Sequence, residues 1–481
     1  MDGKILPLAD DFTAPSRADW LALVEKTLKG GSPEDLVSRT ADGIALQPLY
    51  GPDDASPAIV RDLRPRDADR PWDVRMATAN PDSVRANAEV LKDLEGGAAS
   101  TLVRIDPTGQ NGVAVGSVEG LGVVLGGVLL ELATVALDAG YLGPKAADWL
   151  GALTKAAPAA PLAFHMDPLS AFAETGKSPG PIESHIVSAA TVGVRLATTY
   201  PKATLMLASG RAAHEAGGSN TEELAMMAAC AIAYAKALVR AGMSMEDAFA
   251  RIVLGVSVDG EYFTGVAKVR AARAIWARIT QACGVSLPAR IEARSSRRML
   301  TRTDAWTNLI RLTSASFGAA VGGADAVVLG AFTDAIGLPT AFARRQARNT
   351  QLVLMEESHL GRVADPAGGA WYLDTVTDQL ASAAWGGFQA IEAAGGIVKA
   401  LESGLVADAV AKTRAAEEAA YADGSRKILG VTVFKNADDK AVDVEIAAAV
   451  PAEAPDPRLP GPDSACPPLA PIRFAAAYEE A

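Results

Sequence analysis

Six short apolar runs, separated by longer helical patterns, constrain this chain more than any other feature. They are TLVRI (101–105), LAFHM (162–166), TLMLA (204–208), IVLGVSV (252–258), RIEAR (290–294) and DAVVLG (325–330). Most are near-continuously apolar rather than alternating, the pattern of strands covered on both faces. The clearest helical pattern has Val266, Val269, Ala272, Trp276 and Ile279 at three- and four-residue steps, with Lys268, Arg270 and Arg278 off that stripe. Strands alternating with helices are the signature of βα units, and the repeat count fits a closed (β/α)8 TIM barrel better than an open sheet. No GxGxxG turn follows any strand, which weakens the open alternative.

The remaining composition narrows the function. With 481 residues, 49% of them apolar, the chain can bury at least one large core. No stretch reaches the roughly 18 uninterrupted apolar residues of a membrane span, and the opening MDGKILPLADDF lacks a cationic segment followed by an apolar one, so a cytoplasmic protein is expected. A formal charge of −12 argues against nucleic acid as a partner and leaves small molecules or proteins. Basic clusters at 61–70, 294–298 and 344–348 could meet phosphates, but solvated faces or structural ion pairs are the commoner outcome. Cys230, Cys283 and Cys466 are far apart and unpaired in spacing, which predicts neither a disulfide framework nor a zinc knuckle.

The chain divides into an N-terminal arm over 1–60, a barrel over 61–425 and an extended Pro/Ala-rich tail over 426–481. The arm reads as a helix (17–28) and an extended piece, RTADGIALQPLY, suited to wrapping a neighbouring subunit or the barrel itself. From 447 to 471 the composition predicts a mobile tail.

Barrel chemistry sits just past the strand ends, on the C-terminal face. The segments there are HMDP (165–168), SGRAAHEAGG (209–218), SVDGEYF (257–263) and ARSSRR (293–298). His214 beside Glu215 could be an acid/base pair, although adjacent residues seldom point at one atom and a hydrogen-bonded loop anchor is the alternative. The four histidines, His165, His185, His214 and His359, have no metal-ligand spacing, and no HExxH, CxxC or GxSxG occurs. The stretch GLGVVLGG (120–127) lacks the Lys-Ser/Thr ending of a phosphate loop and reads as turn and packing chemistry.

Three long motifs carry a resemblance. AKVRAARAIWA (267–277), DAIGLPTAFARRQARNTQLVLMEES (334–358) and RVADPAGGAWYLDTVTDQLASAAWGGFQAIEAAGG (362–396) resemble the methylmalonyl-CoA mutase family in order and spacing. Weaker collinear similarity runs through RPWDVR (70–75), SGRAAHEAG and ILGVTVFKN (428–436), and the N-terminal pattern looks like the arm of the family's small (beta) subunit. The resemblance implies a barrel threaded by the pantetheine arm of an acyl-CoA and closed at one end by a cobalamin-binding domain. It also implies a radical rearrangement begun by homolysis of a cobalt–carbon bond, typically (R)-methylmalonyl-CoA to succinyl-CoA.

Carried over residue by residue, the family's catalytic positions fall on residues that cannot do the work. The tyrosine lying against corrin and substrate falls on Ala77, the histidine bonded to the thioester carbonyl on Ala212, and a glutamine near the substrate carboxylate on Val321. Losing one preorganised donor at a developing charge costs about 3 kcal/mol. The Asp-x-His-x-x-Gly motif that supplies the lower axial ligand is absent, and the flavodoxin-like cobalamin domain is expected to be missing. The resemblance therefore implies no catalytic, cofactor-binding or metal residue in this chain, with Arg75, His214, Glu215 and Arg290 as remnants of a substrate channel. Adenosylcobalamin would be bound by a catalytic large subunit in a heterodimer, with acyl-CoA a possible ligand. The alternative is an active acyl-CoA mutase barrel served by a separate cobalamin-binding subunit, with His214, Glu215 or Arg211 replacing the lost histidine. An unrelated barrel enzyme is the distant third.

Overall fold

The computed structural model describes residues 15–54, 67 and 69–479. Eight parallel strands form a closed barrel: β1 (Asp73–Thr78), β2 (Ser100–Arg104), β3 (Thr134–Asp138), β4 (Leu162–Met166), β5 (Thr204–Ser209), β6 (Ile252–Val258), β7 (Ile291–Ser295) and β8 (Ala326–Val328). Closure falls on β8, where Val327 lies opposite Ala293 of β7 on one side and Val74 of β1 on the other. Around the strands run α1 (Ser83–Glu95), α2 (Val118–Val124), α3 (Gly143–Leu153), α4 (Ile182–Thr199), α5 (Asn220–Arg240), α6 (Tyr262–Ala282), α7 (Asn308–Gly322) and α8 (Ala341–Leu352). This is the (β/α)8 barrel that the alternation of runs predicts.

All six apolar runs are barrel strands, but β1 and β3 are not among them. Strand β1 reads DVRMAT, and the inward Arg75 breaks its apolar character. Strand β3 is five residues long and follows the glycine-rich stretch, which itself supplies the end of α2 and a turn, with Leu121 and Val124 buried.

The main core lies between strands and helices, where Leu137, Phe164 and Leu205 are buried against helical side chains. Each such burial is worth about 1.5–3 kcal/mol. Inside the barrel, by contrast, the apolar cluster is small: Leu102, Ala136, Ala163 and Val328, with Ala77 beside them. Barrel lumens are usually filled by bulky branched residues, so these alanines leave space on the axis.

Helix α6 departs from the amphipathic expectation. Its stripe is buried and Arg278 is exposed, yet Lys268 and Arg270 are buried too. A second-layer helix, Trp371–Ala393, packs over α5 and α6 and encloses the polar face. Arg270 then pairs with Asp374 at 2.5 Å and Asp365 at 3.2 Å, and Lys268 with Glu223 at 2.6 Å. The 344–348 cluster is likewise structural, with Arg344 and Arg348 both bound to Asp93 of α1.

Of the arm, residues 1–14 and 55–60 lie outside the described residues, as do 61–66 of the first basic cluster. Helix Arg17–Thr27 starts on a Ser16/Asp19 capping box and buries none of its residues. The piece after it holds the barrel: Asp42 accepts from the Thr221 backbone N–H at 2.6 Å, and Tyr50 meets Tyr372 at 5.2 Å between centroids.

The C-terminal segment differs from the mobile tail that its composition predicts. Residues 444–475 run in extended form around the C-terminal rim of the barrel. Val444–Glu445 pair antiparallel with Leu338–Pro339 after β8, and the Ala452 N–H then donates to the Pro107 carbonyl after β2. Further on, Leu459 donates to Pro179, Cys466 to Gly176, Leu469 to Ala173 and Ile472 to Glu215. Proline presets φ and removes donors, so an extended strip loses little entropy on docking and leaves few N–H groups to satisfy. A sequence with no periodicity can therefore be ordered entirely by loops far from it in the chain.

Candidate functional site: the barrel axis and its C-terminal mouth

Two cavities open at the ends of the barrel. The N-terminal one, about 250 Å³, is lined by Asp73, Arg75, His165, Arg290 and Glu292 among others. The C-terminal one, about 760 Å³, is lined by Ala77, Arg104, Asp138, Arg211 and Arg294, and residues 444–449 form part of its wall.

Charged side chains cross the axis between them. Glu292 of β7 is the centre, with Oε2 2.5 Å from Arg75 Nη1 and Oε1 2.6 Å from Arg294 Nε. Arg75 also holds Asp73 at 2.6 Å and donates to Ser100 Oγ at 2.9 Å. Arg294 continues to Asp138 Oδ2 of β3 at 2.8 Å. In the ring of eight, β7 and β3 are four strands apart in either direction. The Arg294–Asp138 pair therefore spans the full diameter of the lumen, where the resemblance implies an open channel for pantetheine.

Burial alone would push Glu292 up, but Arg294, His165 and Arg75 outweigh it and hold the carboxyl well below the usual range. Burial does dominate at His165, whose Nδ1 is 3.7 Å from Glu292. With Arg75 and Arg294 adding to the effect, its pKa falls to about 4, so the imidazole is neutral at pH 7. His165 has φ 44°, in the left-handed region, at the point where the β4–β5 register shifts. That strained backbone is what turns its ring toward the axis.

Of the four residues singled out as channel remnants, Arg75 and Arg290 share the N-terminal mouth, and His214 and Glu215 lie apart from them at the C-terminal rim. Arg75 lies in the axial network and Arg290 lines the N-terminal mouth. His214 is fully buried behind the C-terminal rim, with Nε2 2.9 Å from Ser296 Oγ and Nδ1 3.3 Å from Glu223 Oε2. Burial, Arg298 and Lys268 lower its pKa. The ring lines neither barrel cavity and ties the loop after β5 to Ser296 and Glu223. Glu215 accepts from the Arg297 backbone N–H at 3.2 Å, while its own carbonyl takes the Ile472 N–H of the rim segment.

Of the positions matched to family catalytic residues, Ala77 faces the C-terminal cavity and Ala212 is buried behind it. Val321 sits on α7 in the outer layer and does not line the mouth. Sequence reasoning missed Asp138 and Glu292 altogether. The available signal was charge at inward positions of otherwise apolar strands: Arg75, His165, Glu292 and Arg294. Among the described residues no group of three or more His, Cys, Asp or Glu could hold a metal ion, and no helix is long and apolar enough to cross a membrane.

A closed parallel (β/α)8 barrel with a cavity at the C-terminal strand ends has the architecture of barrel enzymes. Residues 39–455 match the family model of methylmalonyl-CoA mutase. The chain belongs to the methylmalonyl-CoA mutase family, a family of isomerases. It is 39% identical to the methylmalonyl-CoA mutase small subunit of Streptomyces virginiae, over 93% of this chain and 74% of the relative. The probable small subunit of Mycobacterium tuberculosis is 37% identical over 86% and 69%. That of Propionibacterium freudenreichii subsp. shermanii is 33% identical over 93% and 73%.

Proposed function

We propose that this chain is the small, non-catalytic subunit of an adenosylcobalamin-dependent methylmalonyl-CoA mutase, interconverting (R)-methylmalonyl-CoA and succinyl-CoA only in complex with a catalytic large subunit. The observation that carries the proposal is the Arg294–Asp138 pair across the lumen, which occupies the path a pantetheine arm would take. The small-subunit names of its relatives support the pairing. In this reading residues 1–60 form the partner-binding arm, 61–425 the barrel and 426–481 the rim segment, and the protein works in the cytoplasm.

The described residues do not fit cobalamin. A corrin seated on the C-terminal mouth would meet the segment over 444–449, and Ala77 offers it no aromatic face. His165, His185 and His214 are buried, and none of the four histidines has an Asp two positions before it. The cofactor is therefore assigned to the partner chain, and no chemical step is assigned to this one.

Co-expression with a full-length mutase chain tests the reading. The two should co-purify, and the complex should be active with adenosylcobalamin while this chain alone is not. Turnover of any acyl-CoA by this chain plus an isolated cobalamin-binding domain would overturn it in favour of an active barrel. Replacing His214, Glu215 and Arg211 one at a time separates the same alternatives, since the active-barrel reading requires that at least one variant lose turnover and ours that none abolish the activity of the assembled complex.

A further inference from the structure

We propose that the C-terminal mouth of this barrel binds a phosphate-type tetrahedral oxyanion, held by Arg104, Arg211 and Arg294 beside the segment over 444–449. The three arginines come from β2, from the turn after β5 and from β7, and all line one cavity. Two of them, Arg104 and Arg211, are half-buried and make no ion pair, unlike Arg75, Arg270, Arg344 and Arg348 elsewhere in the barrel. Arg104 makes no side-chain hydrogen bond or ion pair among the described residues, although Asp106, Asp138 and Asp334 feel its charge. The Arg211 Nε–H is buried without an acceptor. Arg294, itself 7% exposed, uses Nε on Glu292 and Nη1 on Asp138, but its Nη2 is buried and unpartnered.

Unmet donors of this kind cost free energy unless something accepts from them. The cavity wall carries six arginines against four acids, Glu89, Asp138, Asp334 and Glu445. Those acids are largely committed: Glu89 accepts from Thr78 and Asn80 and pairs with Arg344, Asp138 pairs with Arg294, and Asp334 accepts from the Ala331 backbone. Glu174 and Glu215 also face Arg211 but form no ion pair with it, and Glu215 is engaged by Arg297. Burial, with the Arg294 charge adding to it, makes Arg211 less basic than usual, as expected of a cation crowded by another and awaiting an anion.

The geometry selects the anion. A planar carboxylate is matched by one guanidinium fork in its own plane. Here the three guanidiniums come from β2, β7 and the short helix after β5 around one mouth, an arrangement that suits an anion with oxygens in several directions better than a planar one. Arginine clusters of this type are phosphate sites elsewhere for the same reason. A volume of about 760 Å³ leaves room for a group attached to the phosphate.

Isothermal titration of the 481-residue chain with inorganic phosphate and with pyrophosphate, at constant ionic strength in chloride, tests the site. Saturable binding is expected, weakened at least tenfold by Arg211→Gln or Arg104→Gln and unchanged by Arg278→Gln on the exposed face of α6. Neither mouth arginine makes an ion pair, so both variants should unfold without phosphate at the wild-type temperature or above it, and should lose the phosphate-induced rise. A purely structural role would instead lower that temperature. Absence of saturable binding, equal binding by the variants, or a preference for citrate over phosphate and pyrophosphate would each overturn the proposal. The measurement uses this chain alone, so its failure leaves the subunit reading untouched.

Discussion

Replacing Glu292 by Gln tests whether charge holds the barrel axis closed. The carboxylate is 1% exposed at its side chain and contacts two buried arginines at 2.5 and 2.6 Å. Glutamine keeps the shape but removes the charge, leaving Arg75 with Asp73 and Arg294 with Asp138, each at a partly solvated carboxylate. Breaking a buried pair on one side costs about 3–5 kcal/mol, because the remaining cation stays desolvated. Unfolding entropy near 2.1 cal/mol/K per residue converts that, over the roughly 450 described residues, to a fall of roughly 3–5 °C in Tm. Urea denaturation followed by circular dichroism reads the same loss as a lower midpoint at unchanged slope. The pH dependence adds a check. Glu292 is held below its ordinary value of 4.5 in the folded chain, so its stabilisation is present above that pH and lost as pH falls. The gap between wild type and variant should therefore be full at pH 7 and narrow once pH drops through about 4.5. A loss below about 1 kcal/mol at pH 7, or a gap independent of pH, would refute the argument that this network bolts the axis.

His165, pushed down to about 4 by burial, should titrate below pH 5 in a proton NMR titration, and a value near 6.5 would mean that the ring is solvated. Because the unfolded chain takes up that proton first, this histidine costs the fold about 3 kcal/mol between pH 6.5 and 4, a loss that His165→Gln should abolish. Hydrogen exchange should find the Cys466, Leu469 and Ile472 amides protected, since each donates to the barrel rim, and free-chain exchange rates there would contradict the docked segment. Gly116→Ala places a Cβ against the Glu453 carbonyl, so it should expose 447–471 to proteolysis while shifting the main unfolding transition by less than about 1 kcal/mol.

Much of this protein was determined by the sequence acting locally. Apolar runs alternating with helical patterns required parallel strands covered from outside, and six of eight barrel strands follow from that rule alone. The long motifs over 267–396 required the family. Tertiary structure decided what depends on residues distant in the chain. Arg75, Asp138, Glu292 and Arg294 come from three strands, β1, β3 and β7, and become one network only when the barrel closes. Arg270 looks solvent-facing by helical period, yet Asp374 and Thr377 of a helix about a hundred residues further on pair with it, while Lys268 is paired by Glu223 of α5. The rim segment is the plainest case. Nothing in 444–475 has a period to read, because its order comes from carbonyls in loops that belong to other βα units, and periodicity records only the contacts that an element makes through its own repeating face.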